Sequence, residues 1–357
     1  MVEETRKVME IADVGEAIEW QAQHCERAGA PITARVIRAE RAILETDTAT
    51  GRRMATWHGL TLEDAMPLRV AGGIHSLHLS GEEPRLEPVY QGLLADQGQV
   101  DAIIREVAET YDHKLMPWLD SPPQTNEAGR SASIMAGLLW LSGRLGPKFD
   151  LYEIGASAGI NTMMGRYHYV LGGVRAGPSL SSIRIQPEWR GDPPPQNPVE
   201  IVGIKGCDVS PIDLTNKREA DRLRAYVWAD ASERLLRLDR AIAMAERAAP
   251  ELEAKDAGDF VDEMLAAPQE AGVTRTLFHS VMWQYLPGET RDRITDVMEA
   301  AGAEATADKP LAWIRVETNR ETYSHELTVR YWPGGGDKWL KLAEAHPHGA
   351  WVEWKGA

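Results

Sequence analysis

A carboxylate, two glycines and a serine stand within one short stretch, Glu153-Ile154-Gly155-Ala156-Ser157-Ala158-Gly159. Glycines at these points permit backbone angles that other residues resist, and the small Ala156, Ser157 and Ala158 let a ligand approach the main chain closely. Unpaired N–H groups at the start of a following helix make such a turn a nucleotide-type site. Further along, His279 follows the apolar end of "RTLF", where it can act as a general base on an acceptor hydroxyl or amine. Trp283 and Tyr285 come next and are expected to wall the same pocket.

The turn needs a strand before it and a helix after it. Phe149 to Ile154 is short, apolar and bounded by Gly146 and Pro147, which reads as a buried strand. Ile160 to Arg166 is compatible with a helix. Six more strand-like runs follow, "VEIVGIKGCD", "LEAKDA", "RTLFHSV", "LAWIRVE", "HELTVRYWP" and "AWVEW", with helical pieces such as "FVDEMLAA" and "ETRDRITDVMEAAG" between the earlier ones. That alternation predicts an α/β fold with a mostly parallel seven-stranded sheet, the last two runs closing it as an antiparallel pair. Residues 1–120 carry apolar positions at helical spacing and form a helical N-terminal region, and 121–357 form the α/β domain. Residues 167–200 are rich in glycine and proline and read as an insertion, in which "YHYVLGG" and "SSIRIQ" pair as a hairpin.

Charge and composition narrow the function. The 39 basic and 54 acidic residues give a net charge of −15, which disfavours nucleic acid and anionic membranes as partners and leaves a small molecule. The stretch "MVEETRKVMEIADVGEA" is polar, and "IMAGLLWL" is far too short to span a bilayer. A cytoplasmic protein is expected. Cys25 and Cys207 are widely separated and indicate neither a disulfide framework nor a zinc site. His75 and His78 lack a further ligand nearby, and His346 and His348 sit in a turn set by Pro347 and Gly349, so no metal is assigned. Ser157 lacks the Gly-x-Ser-x-Gly setting of a hydrolase nucleophile.

Two cofactor classes use a strand, glycine turn and helix. A dinucleotide fingerprint wants glycines where this chain has Gly155, Ser157 and Ile160, so its third glycine is missing. The stretch "EIGASAGIN" instead resembles the first motif of class I S-adenosylmethionine-dependent methyltransferases. "VGIKGCDVSP", "LEAKDAGDFV" and "TLFHSVMWQYLP" resemble that family's later motifs, in the order its Rossmann-like fold requires. The resemblance implies S-adenosyl-L-methionine as cofactor, Asp208 on the ribose hydroxyls, Asp256 on the adenine amino group and Ala257 leaving room for the ring. The bland alternative for Asp208 or Asp256 is a helix N-cap. About fifty residues separate Gly159 from Asp208, against about twenty in a compact unit, so this assignment depends on the insertion.

The segment "SPPQTNEAGRSA" supplies what the turn lacks. Glu153 suits the cofactor's ammonium, but no basic residue in "EIGASAGIN" answers its carboxylate, and Arg130 is the nearest upstream candidate. Gln124, Asn126 or Glu127 would meet the ammonium or the acceptor. Thr125 or Asn126 can also cap the helix that follows. Across "QTNEAGRSA", "EIGASAGIN", "GCDVSPIDL", "FHSVMWQYLP" and "HPHG" the chain is similar to an uncharacterised bacterial family catalogued as domain of unknown function 2332. The expected activity is methyl transfer to a small molecule, with His279 and Tyr285 as catalytic residues and with Gln124, Asn126, Arg130, Glu153, Gly155, Ser157, Gly159, Asp208, Asp256 and Ala257 holding the cofactor. The alternatives are a non-catalytic sensor or scaffold for the same cofactor or its demethylated product, and an NAD(P)-dependent oxidoreductase. The sequence leaves the oligomeric state open.

Overall fold

A computed structural model describes residues 13–59 and 64–356. The polar stretch at residues 1–12, on which part of the N-terminal reading fell, lies outside the described residues. The chain divides into two compact units, one running to Thr125 and including Asn216–Leu236, the other made of Asn126–Thr215 and the chain from Arg237 onward. Residues 216–236, expected within the α/β part, therefore group with the helices.

The first unit is helical because its apolar residues recur on single faces. Ile18, Ala22 and Cys25 of the helix Val14–Arg27, Val36 and Ile37 of Pro31–Ala39, Val70, Ile74 and Leu77 of Met66–Leu79, and Val100, Ile104 and Val107 of Gln97–Leu115 meet in one core. The stretch "READRLRAYVWADASERLLRLDRAIAMAERA", residues 218–248, whose composition predicts a helical piece, falls in two helices, Lys217–Ala225 and Ser232–Arg247. The break has a role: the Asp230 carboxylate accepts the N–H of Ile32 at 2.9 Å, and the N–H and hydroxyl of Thr33 at 2.9 and 2.8 Å. Pro31–Ala39 has no side-chain cap of its own, so Asp230 pairs donors that would otherwise be orphaned.

The second unit carries a nine-stranded sheet rather than the expected seven. In chain order its strands are β1 (Lys148–Ile154), β5 (Glu188–Arg190), β6 (Glu200–Asp208), β7 (Leu252–Ala254), β8 (Val273–Ser280), β9 (Leu311–Thr318), β10 (His325–Trp332), β11 (Leu340–Ala345) and β12 (Trp351–Trp354). Their spatial order is β5-β12-β11-β10-β9-β8-β1-β6-β7. Strands β7, β6, β1, β8 and β9 are mutually parallel, and β10, β11 and β12 add antiparallel. The runs expected to pair as β10 and β12 do not touch as neighbours, because β11 lies between them. β5, from the insertion, is the other unforeseen strand.

Helices cover both faces. Trp313 of β9 packs with Phe260, Met264, Ile294 and Met298 of the helices Ala257–Ala266 and Gly288–Glu304, whereas its neighbour Ile314 faces Gly137 of the helix Ser131–Leu145. Alternate residues of one strand thus serve opposite cores, and β8 is buried along its whole length, as expected of a strand covered on both faces. In the insertion, β2 (His168–Leu171) turns tightly at Gly172-Gly173 into β3 (Val174–Ala176). β4 (Arg184–Ile185), from the run expected to complete the hairpin, instead joins β2 in parallel.

Candidate functional site

The strand order reverses at β1. From β1 the chain adds β6 and β7 on one side, then crosses back to place β8 and β9 on the other. In open α/β sheets the crevice beyond the carboxyl ends at such a point is where ligands bind. Ile154, Asp208, Ser280 and Thr318 end their strands at this edge, and the antiparallel register brings His325 and the loop after Ala345 to the same edge.

The glycine turn sits here, with unusual backbone. Gly155 has φ +65° and Ser157 φ +54°, and a non-glycine residue in the left-handed region is held there by its surroundings. The holding contacts are clear. Asp208 accepts the N–H of Ser157 at 2.9 Å and that of Ser210 at 2.9 Å, Ala156 donates to the Cys207 carbonyl at 2.9 Å, and Ile212 donates to the Ser157 carbonyl at 3.1 Å. The expected helix after the turn is a six-residue 3-10 segment, Asn161–Arg166, which then enters β2. A hypothetical Cβ on Gly155 would lie 2.8 Å from three atoms of the Met282 side chain, so Met282 covers the turn closely.

Glu153 is 1% exposed, and its Oε2 has no hydrogen-bond partner. The Ser157 hydroxyl and Asn161 Oδ1 are likewise buried without partners. Burial raises the Glu153 carboxyl well above the usual carboxylate range, against a smaller pull from Asn161 and Arg130. Unpartnered buried polar atoms gathered at one turn are unusual enough to need a cause.

The segments flanking this edge converge on it. Asn126 Oδ1 accepts the Ile160 N–H at 2.7 Å, just past the turn. Arg130 is buried, donates from Nε to the Pro347 carbonyl at 2.8 Å, and acts electrostatically on Glu153 and His325. A Cβ on Gly129 would meet the His348 carbonyl at 2.6 Å; only glycine allows this approach. The helix entry at this segment is capped by Glu127, which accepts from Gly129, and not by Thr125 or Asn126. Gln124 belongs to the helical unit and is partly exposed.

Asp256 caps the helix Ala257–Ala266, its Oδ1 accepting the N–H groups of Gly258 at 2.8 Å and Asp259 at 3.3 Å, with Ala257 buried in the first turn. Gly159 has φ +70° and packs against Pro250 and Leu252.

His279 is fully buried at the end of β8. Its Nδ1 lies 2.6 Å from Glu317 Oε1, its Nε2 has no partner, and its ring stacks on Trp283 at 4.9 Å. Burial holds the imidazole below its ordinary pKa despite Glu317. A neutral ring whose Nδ1–H donates a hydrogen bond to a carboxylate keeps a basic lone pair on Nε2. Tyr285 is 75% exposed, unlike the inward-turned Trp283. Glu317 and His325 escaped the sequence reading. The signal for Glu317 was an acidic residue near the carboxyl end of a mostly apolar strand.

In the helical unit, His75 and His78 stack with Tyr90 at 4.8 and 4.4 Å. Among the described residues no three metal-ligating side chains cluster, and no helix is long and apolar enough to cross a membrane.

The chain matches no curated protein and no solved structure. A family model described as "Uncharacterized protein conserved in bacteria (DUF2332)" matches residues 15–354. That match takes in both units, the glycine turn and the His279–Glu317 pair, and the chain belongs to this family.

Proposed function

We propose that this protein is an S-adenosylmethionine-dependent methyltransferase acting on a small-molecule acceptor. The observation that carries the reading is the glycine turn at the reversal of strand order, braced by an acidic residue at the tip of the next strand. The unpartnered atoms of Glu153 and Ser157, with Arg130 close enough to act on Glu153, suit a ligand head that bears both an ammonium and a carboxylate. Glu153 would hold the ammonium, and Arg130 would hold the carboxylate. Asp208 would take the ribose hydroxyls through lone pairs its two backbone bonds leave open, and Asp256 with Ala257 would border the adenine.

The bound cofactor supplies a sulfonium methyl that needs little covalent help to leave. The protein's remaining work is alignment and removal of the acceptor proton. His279 performs the latter through Nε2, while Glu317 fixes the tautomer through Nδ1. One observation favours a second reading, a binding sensor without turnover: His279 is 0% exposed and lies beneath Trp283.

Calorimetry with S-adenosylmethionine, S-adenosylhomocysteine, adenosine and NADH tests the reading. Binding of the first two is expected, and Arg130→Gln should weaken both by roughly tenfold or more while leaving adenosine, which has no carboxylate, nearly unaltered. Binding of NADH alone would refute the proposal. Tight cofactor binding without turnover across a broad acceptor screen would select the sensor.

A further inference from the structure

Beyond the carboxyl ends of β8 and β9 lies a cavity of about 350 Å3 that the glycine turn does not use. Trp283 and Trp339 line it, together with three arginines, Arg291, Arg315 and Arg320. The guanidinium of Arg315 lies 4.5 Å from the Trp339 ring centre and 5.2 Å from that of Trp283. Its Nε is buried without a hydrogen-bond partner. Arg330, two residues before the end of β10, also has a buried Nε without a partner, but its Nη1 is paired with Glu299. Among the described residues none of the three cavity arginines forms an ion pair.

The cavity also holds two carboxylates, and each is already engaged. Glu317 Oε1 accepts from His279 and from the N–H groups of Met282 and Trp283. Glu326 accepts from Lys341 at 2.6 Å and from Asn319 at 3.2 Å. Three arginines against two carboxylates, one of them paired with Lys341, leave a cationic surplus in a chain whose net charge is −15. Burial disfavours the charged form of Arg315, and the nearby Glu317 carboxylate offsets this only in part; a buried cation so incompletely compensated is costly. An anion entering the cavity removes that cost and forms charge-assisted, two-pronged bonds with the guanidinium.

We propose that this cavity binds a small organic anion, a carboxylate or phosphate on a flat apolar body, with Arg315 as its principal partner and Trp283 and Trp339 as walls. The site stands whether or not the glycine turn binds S-adenosylmethionine. Because Trp283 also stacks on His279, an occupant lies one aromatic ring from the candidate base.

Titrating the full-length protein with benzoate, phenyl phosphate and uncharged phenol tests this. At least one of the two anions should bind, and phenol should bind at least tenfold more weakly. Arg315→Met should weaken the anion by roughly tenfold or more, Arg291→Met should weaken it less, and Arg144→Met, a change at a distant arginine, should have no effect. Arg291→Met keeps the test decisive if Arg315→Met does not fold. Equal affinity for phenol and the anions, no binding of either anion, or wild-type anion affinity in both cavity variants would overturn the proposal.

Discussion

Glu317 Oε1 lies 2.6 Å from His279 Nδ1, and the same oxygen accepts the N–H groups of Met282 at 3.1 Å and Trp283 at 3.3 Å. One carboxylate on β9 thus fixes the end of β8 and the turn that follows it. Although Glu317 is buried, which alone would raise its pKa, these donors hold the carboxyl below its ordinary value. The His279 orientation, the Trp283 stack and the Met282 cover over Gly155 all depend on it.

Removing that carboxylate should therefore cost more than a typical core substitution. Glu317→Ala leaves three donors unpaired, and we expect a loss of roughly 3–5 kcal/mol. Glu317→Gln keeps an acceptor oxygen and loses only the charge, for roughly 1–2 kcal/mol. Chemical denaturation of the three proteins gives the comparison. An alanine variant within about 1 kcal/mol of wild type would show that the bond network does not hold this edge.

Strand periodicity and punctuation made the parallel half of the sheet legible. β1, β6, β8 and β9 are apolar runs bounded by turn residues, and their parallel arrangement was legible from the helices between them. β11 was not legible, because "LKLAEA" mixes alternation with helix-forming residues, and only its two neighbours decide its state. β5 is three residues long, too short to carry a pattern, and β4 lies in a run expected as a strand but pairs in parallel with β2. The helix expected after the turn failed for a tertiary reason: Tyr167 donates its hydroxyl to the Ile160 carbonyl and packs beside Tyr169, drawing the chain into β2. At the site, Glu153, Asp208 and His279 announced themselves as polar residues at strand ends. Asn126 lies in the segment expected to serve the turn, and it accepts the Ile160 N–H just past it. Glu317 acts through a partner 38 residues away in sequence, a separation that local reading cannot bridge.

Gly155→Ala should be strongly disfavoured, for two separable reasons. The backbone at φ +65° strains any side chain, and the new Cβ would meet Met282 at 2.8 Å. The left-handed conformation alone costs roughly 1 kcal/mol or more. The clash adds to that. Met282→Ala in the same chain should recover the steric part and leave the conformational part, so the double variant should be more stable than the two single costs summed. Additive costs in a denaturation cycle would mean that Met282 does not pack on the turn.

His75 makes the helical unit sensitive to mild acid. Its Nδ1 donates to the Ala225 carbonyl at 3.1 Å, and burial lowers its pKa from 6.5 to about 4. The folded state thus binds fewer protons than the unfolded state between those values. The stability this gives is complete above pH 6.5 and drains as pH falls toward 4. By pH 5 the loss should reach roughly 2 kcal/mol. His75→Gln keeps a donor for Ala225 but does not titrate, so its stability should fall less between pH 7.5 and pH 5 than that of wild type. Parallel slopes for the two proteins would rule His75 out as the source.

Asp256 separates a structural role from a ligand role at a single residue. Its Oδ1 receives both N-cap bonds, from Gly258 and Asp259, and the loss of such a cap costs about 1 kcal/mol. Asp256→Ala should show that cost in denaturation. Asp256→Ser should restore most of it, because serine caps a helix nearly as well, yet its hydroxyl is too short to reach a ligand beyond the strand edge. If Asp256 also borders the adenine, S-adenosylmethionine affinity should fall by roughly tenfold in the serine variant while its stability stays close to wild type. Wild-type affinity in a stable Asp256→Ser protein would remove Asp256 from the ligand set and leave it as the cap alone.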